Sequence, residues 1–170
     1  MKLTKAQPQT SVQDRVDLYD LAVRYAAAVD EKNWLLLEDV FAEEMAHYRV
    51  FGSRVGYEQG QPSIVAAGRA QAVNIHRAFL EPLRQTHHIL GNVLGTVHGE
   101  TGELTYYLRA YHEGQGEKAG LLKESLAFAS ASVKRLDVGW RMLTLDYVVY
   151  ISVGSSTLLD NQQVRDLIQG

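Results

Sequence analysis

The sequence lacks several features that would place it in a function class at once. It contains no cysteine, which excludes disulfide bonds, thiolate nucleophiles and cysteine metal sites. No segment approaches the roughly 18 consecutive apolar residues of a membrane-spanning helix. The start, MKLTKAQPQT, has no apolar run and does not resemble a secretory signal. We therefore expect a cytoplasmic protein with no membrane partner.

A strong charge of either sign is also missing. The 17 lysines and arginines and 20 aspartates and glutamates leave a formal net charge of −3. This balance lacks the basic excess of a nucleic-acid-binding protein, so no nucleic-acid partner is expected. Nine tyrosines, two tryptophans and four phenylalanines are, by contrast, enough to line a pocket for a small molecule.

The chain is predicted to form one domain. Its 170 residues contain no repeat, low-complexity run or linker, and single domains centre near roughly 100–150 residues. We predict a loose lead-in over residues 1–10, the domain over residues 11–152, and a C-terminal tail over residues 153–170.

Three segments in the first half have the apolar spacing of helices. The first begins at Ser11, with Asp14 three residues later as an acidic variant of a capping box. Its apolar residues are spaced three and four apart and share one face: Leu18, Leu21, Ala22, Tyr25, Ala28 and Val29. NWLLLEDVFAEE predicts a second, shorter helix, and RAQAVNIHRAFLEPL predicts a third that ends near Pro82.

After residue 85 the apolar period changes from 3.6 residues to two, which is typical of strands. Strands are predicted over residues 86–97, 104–113, 125–136 and 139–151, with an earlier one over 45–51. Residues 52–68 are interpreted as a loop with a short strand. Helices followed by an antiparallel meander predict an α+β fold, with the helices on one face of a curved sheet. A cone-shaped cavity between the two layers would suit a small molecule.

The segment THHILGN places two histidines side by side in the first long strand. Because side chains alternate along a strand, His88 shares a face with Thr86 and Leu90, whereas His87 shares the other with Ile89. At most one of the two histidines can face a cavity. The spacing alone leaves open that both are ordinary sheet residues.

Other ionisable side chains lie inside apolar segments. Asp30 ends the first helix, and the ordinary interpretation is a helix-end aspartate in water. A carboxylate opposes the helix dipole at this place, which slightly strengthens the case for a specific partner. Tyr48 lies within a strand, where most tyrosines are core residues, and His112 ends another strand. The remaining histidines look ordinary: His47, His76 and His98.

Signatures of other chemistries are missing. His87, His88 and His112 lack the helical H-x-x-x-H spacing of a metal site, so no metal is predicted. GSRVGYEQG lacks the lysine and the Ser/Thr that end a phosphate-binding loop. The sequence has no G-x-S-x-G, so a serine nucleophile is unsupported.

Four segments in order carry a family resemblance: AAVDEKNWLLLEDVFAEE, AHYRVF, THHILGN and LRAYHEG. Together they resemble the SnoaL-like branch of the nuclear transport factor 2-like superfamily, and within it the scytalone dehydratase-like lyases. The resemblance runs from about residue 13 to residue 150. It implies a cone-shaped α+β barrel, in which three N-terminal helices pack on a curved, mainly antiparallel sheet that encloses a ligand cavity.

The resemblance assigns roles to four residues. The aspartate of the family's D-x-K-D/N-W motif falls on Asp30, and its acid/base histidine falls on His88 rather than His87. Its cavity tyrosine falls on Tyr48, and its second histidine falls on His112. A dehydrochlorinase of the same branch also resembles this chain at Asp30 and His88.

Departures from the dehydratase pattern concern substrate binding. The dehydratase has a tyrosine directly before its aspartate, where this chain has Val29, and Tyr25 is the candidate to replace it. The dehydratase's serine and asparagine on the third long strand fall on Ala127 and Ala129. Scytalone itself is therefore not the expected substrate.

The implied activity is a cofactor-free elimination from a small hydrophobic substrate, a polyketide or another cyclic carbonyl compound. His88 would act as general base, with Asp30 fixing its tautomer. Tyr48 would polarise the substrate oxygen, and His112 would assist the departing hydroxide. The expected apolar wall consists of four residues: Phe51, Phe79, Leu108 and Phe128.

Two other functions remain open. An isomerase or polyketide cyclase could use the same acid/base pair on the same scaffold. A non-catalytic ligand-binding or assembly subunit would need a large partner and no Asp–His pair in its cavity. In either case a homo-oligomer, dimer or trimer, is expected, because the apolar strand DYVVYISVG is suited to a subunit interface.

Overall fold

A computed structural model describes residues 10–169, which fold into helices packed on one sheet. The α-helices are α1 (Val12–Asp30), α2 (Trp34–Val40), α3 (Arg54–Glu58), α4 (Gly68–Leu80) and α5 (Gln162–Gln169). The strands are β1 (His47–Phe51), β2 (Ile64–Ala67), β3 (Leu83–His98), β4 (Thr101–Gly114), β5 (Leu122–Leu136), β6 (Gly139–Met142) and β7 (Thr144–Gly154). A short 3₁₀ turn spans Gly116–Lys118. The predicted lead-in over residues 1–10 lies outside the described residues, except for Thr10.

The seven strands form one curved sheet in the order β2-β1-β7-β5-β4-β3, with β6 also paired to β5. The β1–β7 pair is parallel, and the other pairs are antiparallel. Across residues 10–169 the strands do not close into a complete barrel. Helices α1 and α4 cover the inner face, and the predicted cone-shaped α+β fold is confirmed.

Helix α1 forms where its apolar period predicts it. The Ser11 side chain accepts a hydrogen bond from the Asp14 N–H at 3.0 Å and so satisfies one of the free donors of the first turn. The predicted apolar face is the buried one, and it contains Leu18, Leu21, Ala22, Tyr25, Ala28 and Val29. Helix α1 packs chiefly against β3, which brings its C-terminal end close to THHILGN.

Several boundaries differ from the sequence prediction. The second helix ends at Val40 because Phe41 adopts an extended conformation. The loop over residues 52–68 contains α3 as well as the predicted short strand, β2. The strand predicted over residues 139–151 is two strands, β6 and β7. The tail over residues 153–170 contains α5 and packs back onto the domain, since Leu158 is buried in the core.

Gly95 on β3 permits the close approach of α1. A Cβ at this position would lie 2.5 Å from Leu18 Cδ1 and 3.1 Å from Leu18 Cβ, so the Leu18 side chain would have to rotate and α1 would have to move by a few tenths of an ångström. We expect Gly95→Ala to lower the free energy of unfolding by roughly 1–3 kcal/mol, the usual cost of overpacking a core. Urea denaturation of the purified variant measures this change.

Gly91→Ala is the matched control on the same strand. Among the described residues, no atom lies within 4 Å of a Cβ built at Gly91, so the stability of this variant should stay near that of the wild type. Equal stabilities of the two variants would contradict the packing described for Gly95.

Candidate active site

A cavity of about 320 Å³ lies between the helices and the inner face of the sheet, within the usual range for a small-molecule site. Its walls come from α1, α4, six strands and the C-terminal segment. The lining is Tyr25, Val29, Tyr48, Val50, Gly52, Ile64, His76, Phe79, Leu80, His88, His112, Lys123, Ser125, Tyr147, Val149, Ser152 and Leu159. Polar groups therefore project from walls that are otherwise apolar.

Asp30 and His88 form a doubly bonded pair at this cavity. Asp30 Oδ1 lies 2.7 Å from His88 Nδ1, and Asp30 Oδ2 accepts the His88 backbone N–H at 2.8 Å. Because β3 is an edge strand, this N–H can point away from the sheet and reach α1. Only 7% of the His88 side chain and 19% of the Asp30 side chain are exposed.

The pair sets the tautomer of His88. A carboxylate can only accept a hydrogen bond, so His88 Nδ1 must carry the proton that it donates to Asp30. In the neutral imidazole, Nε2 is then left with a free lone pair, which is what a general base requires. The two N–H groups also compensate the carboxylate for its unfavourable place at a helix C-terminus.

The segment after Asp30 holds the helix end against β3. Lys32 turns the chain with a positive φ of 52°, and its Nζ donates to the carbonyls of Glu81 and Leu83. Trp34 Nε1 donates to Glu81 Oε2 at 2.7 Å. The residues of DEKNW thus bind the α4–β3 connection, and His88 follows five residues after Leu83. Lys32 and Trp34 therefore help to position Asp30 beside His88.

His112 lies beside His88 on the neighbouring strand. The two rings meet edge to face, with centroids 5.8 Å apart, and only 5% of His112 is exposed. Burial, followed by the charge that His88 would carry, lowers the pKa of His112 to about 4. His112 is therefore neutral near pH 7 and can donate or accept one hydrogen bond with a ligand.

His76 is a cavity residue that the sequence interpretation missed. Its Nε2 lies 2.9 Å from the Tyr25 hydroxyl oxygen, and the Tyr48 ring lies against it with centroids 4.4 Å apart. Burial lowers the pKa of His76 to about 4. The sequence could have indicated this role, because His76 lies at an apolar position of the helix, on the same face as Phe79. Tyr25, Tyr48 and Phe79 also line the cavity.

Four further polar residues of the lining come from β5 and β7: Lys123, Ser125, Tyr147 and Ser152. Strand alternation through Ala127 would have indicated Ser125. Strand alternation does not predict that Ser152 faces the cavity, because β7 contains a bulge. Leu126 pairs with Ile151, but the next residue, Ala127, pairs with Val149. The extra residue reverses which side chains face inward after Val149.

Three predicted wall residues are corrected. Phe51 is on the opposite face of β1 from Tyr48 and Val50, and it packs edge to face on Tyr57. Phe128 is on the outer face of the sheet, where it stacks near Tyr107 and Tyr150. Leu108 is buried in the core but is not part of the cavity lining. For Phe51 and Phe128 the reason is strand parity, which assigns them to the face opposite Tyr48 and Ala127.

Within residues 10–169, no group of three or more histidines, aspartates or glutamates is placed to hold a metal ion. In the same range no helix is both long and apolar enough to cross a membrane.

The lowered pKa values of His76 and His112 predict that the protein loses stability in mild acid. Their pKa values are about 4 when folded, against about 6.5 when unfolded. Between these values the unfolded chain binds more protons, so stability falls as pH decreases from about 6.5 to 4. Each histidine should contribute roughly 3 kcal/mol over this window. Urea denaturation at a series of pH values measures this slope.

The variant His112→Gln should flatten the slope, because it removes one of the two groups. His98→Gln removes an exposed histidine at the end of β3 and serves as its control. If His112→Gln left the pH dependence of stability unchanged, His112 would have the same pKa in the folded and the unfolded chain.

The SnoaL-like domain model matches residues 10–146. The chain therefore belongs to the SnoaL-like domain family, and the resemblance in its sequence is confirmed. No curated protein matches the chain in sequence.

Solved structures with the same fold share little sequence with this chain. A provisionally named aromatic ring hydroxylase from Novosphingobium aromaticivorans is 20% identical, with a TM-score of 0.74 over 89% of this chain and 100% of that one. A hexachlorocyclohexane dehydrochlorinase, LinA type 3, from Novosphingobium barchaimii is 12% identical, with a TM-score of 0.67 over 88% and 95%. A provisionally named scytalone dehydratase from N. aromaticivorans is 14% identical, with a TM-score of 0.67 over 88% and 93%.

Proposed function

We propose that the protein is a cofactor-independent lyase that eliminates water from a small, hydrophobic cyclic carbonyl compound. The observation that carries this proposal is the Asp30–His88 pair. Both carboxylate oxygens of Asp30 bind His88, and the imidazole lines a partly open, mainly apolar cavity. The likeness in fold to a dehydrochlorinase and a provisionally named dehydratase is consistent with elimination.

The reaction begins with proton removal by His88. Its Nε2 takes a proton from the carbon next to the substrate carbonyl, and Asp30 stabilises the imidazolium that forms. The electron pair of the broken C–H bond forms a C=C bond as the C–O bond to the β-hydroxyl breaks. The proton passes from His88 to the departing oxygen, so water leaves and His88 returns to its neutral form. Such positioned acid–base catalysis contributes roughly 10²–10⁴-fold.

The other polar residues bind the two oxygens of the substrate. Tyr48 keeps its hydroxyl proton, because burial raises the pKa of this phenol above its ordinary value. It can donate to the carbonyl oxygen and polarise it. His112 is neutral near pH 7 because burial lowers its pKa to about 4, so it holds the leaving hydroxyl by a hydrogen bond.

The composition of the lining favours elimination over the alternatives. An isomerase that stabilises an enolate would use a protonated carboxylic acid, and among the described residues no aspartate or glutamate belongs to the lining. An assembly subunit has no use for a buried Asp–His pair, whose desolvation costs stability. A homo-oligomeric state and a cytoplasmic location stay predictions.

The test uses 3-hydroxy-1-tetralone, a cyclic β-hydroxy ketone whose dehydration gives 1-naphthol. The purified protein should speed the appearance of the naphthol absorbance, and the same should hold for ring-substituted analogues. Conversion of cyclohex-3-enone to cyclohex-2-enone, with no dehydration of any hydroxy ketone, would favour the isomerase instead. Activity on neither class would contradict catalysis of this type.

A further inference from the structure

His76 is bound at both ring nitrogens. It lies on α4 with 4% of its surface exposed, and its Nδ1 is 2.8 Å from the backbone carbonyl oxygen of Ala72. A carbonyl can only accept, so Nδ1 must carry the proton. The remaining nitrogen of the neutral ring, Nε2, is then an acceptor. Tyr25 Oη lies 2.9 Å from Nε2, so the phenol must donate its proton to His76.

The surroundings hold both groups in these states. Burial lowers the pKa of His76 to about 4, which keeps its ring neutral near pH 7. Burial raises the pKa of Tyr25 well above its ordinary value, which keeps its hydroxyl protonated. Near neutral pH, His76 Nε2 can therefore only accept the hydrogen bond of the pair, and the Tyr25 hydroxyl can only donate it.

The orientation of the imidazole is also constrained by packing. The Tyr48 ring lies over it with centroids 4.4 Å apart at 34°, and Phe41 packs on it at 6.1 Å. A ring flip would break both hydrogen bonds inside this buried cluster. Leaving such buried donors and acceptors unpaired costs more than a made hydrogen bond contributes.

Because the proton of Tyr25 is committed to His76, only the lone pair of its oxygen is left for the cavity. We propose that the Tyr25–His76 pair is a hydroxyl-recognition site, at which Tyr25 Oη accepts a hydrogen bond from a hydroxyl group of the ligand. His76 is the positioning residue that makes Tyr25 an acceptor. This rests on the proposed function only in placing the substrate in this cavity.

The proposal narrows the substrate class. Besides the carbonyl that activates the α-proton, the substrate carries a hydroxyl or phenol that reaches the α1–α4 side of the cavity. An analogue with a methyl ether or a carbonyl at that point would meet the Tyr25 oxygen with another acceptor. A neutral hydrogen bond of this kind contributes roughly 3–10-fold in affinity.

The experiment compares two probes of nearly the same shape, 2-naphthol and 2-methoxynaphthalene, by calorimetric titration. The wild type should bind 2-naphthol more tightly by roughly 3–10-fold. Tyr25→Phe should abolish this preference. Tyr57→Phe, which removes a phenol packed on Phe51 outside the cavity, should retain it.

Variants of His76 separate acceptor control from simple packing. In His76→Leu the hydroxyl proton of Tyr25 becomes free, so the preference should shift toward 2-methoxynaphthalene. His76→Gln offers an acceptor oxygen to Tyr25 again and should restore part of the preference for 2-naphthol. Thermal unfolding shows whether each variant is folded. If His76→Leu does not fold, the wild type, Tyr25→Phe and Tyr57→Phe decide the question.

Two results would overturn the proposal. One is equal affinity of the wild type for both probes, including failure to bind either. The other is a preference that survives Tyr25→Phe but is lost in His88→Ala, which would mean that the hydroxyl binds His88. In that second case the proposed lyase function would stand, because its test does not depend on Tyr25.

Discussion

Replacing His88 with alanine is expected to lower kcat/KM for dehydration of 3-hydroxy-1-tetralone by roughly 10²–10⁴-fold, the usual contribution of a positioned general base. The variant loses the imidazole that is the proposed base, while the backbone N–H of residue 88 can still bind Asp30 Oδ2 as it does in the wild type. We therefore expect the fold to persist. Steady-state kinetics with thermal unfolding measures both.

The neighbouring histidine supplies the control. His87 is exposed on the other face of the same strand, so His87→Ala should keep kcat/KM within a few-fold of the wild type. A similar loss in both variants would indicate damage to the strand rather than removal of a base. Full activity in folded His88→Ala would rule His88 out as the base.

Asp30→Asn is expected to cause a comparable loss, roughly 10²–10⁴-fold in kcat/KM, although it changes a single group. The amide oxygen can keep the bond to the His88 backbone N–H, which places the amide NH₂ next to Nδ1. An NH₂ group donates, so Nδ1 must now accept and the ring proton moves to Nε2. The nitrogen that faces the substrate then has no lone pair with which to act as a base.

This prediction has a spectroscopic readout that does not depend on a substrate. Nitrogen-15 chemical shifts should show His88 protonated at Nδ1 in the wild type and at Nε2 in Asp30→Asn. Asp39→Asn is the control, since Asp39 binds Arg24 and Arg141 instead of His88. An Asp30→Asn variant with the wild-type tautomer and wild-type kcat/KM would contradict the role given to Asp30.

The spacing of apolar residues predicted much of the fold, because the side chains that become buried recur with the period of the helix or strand. The 3.6-residue pattern of α1 and the two-residue pattern after residue 85 both correspond to observed elements. Alternation also separated His88 from His87 correctly. What no periodicity showed was that Asp30 binds His88, since that contact joins residues far apart in the chain. The family resemblance supplied that pairing.

The incorrect and missing predictions of site residues also have physical causes. Phe128 is expected in the apolar wall of the cavity, although its position next to the inward-facing Ala127 assigns it to the outer face of the sheet. Ser152 faces inward only because of the bulge beside Val149, which no pattern in the strand indicates. His76 resembles an ordinary helix residue until folding brings Tyr25 against it. Such contacts between distant segments are set by tertiary packing.

Removal of an α-proton by His88 can be measured directly, without the natural substrate or its leaving group. Exchange of the α-protons of 2-tetralone for deuterium in D₂O can be followed by proton NMR with the wild type, His88→Ala and His87→Ala. We expect the wild type and His87→Ala to speed the exchange by roughly 10²-fold or more over folded His88→Ala. Equal exchange rates with the wild type and His88→Ala would contradict this expectation.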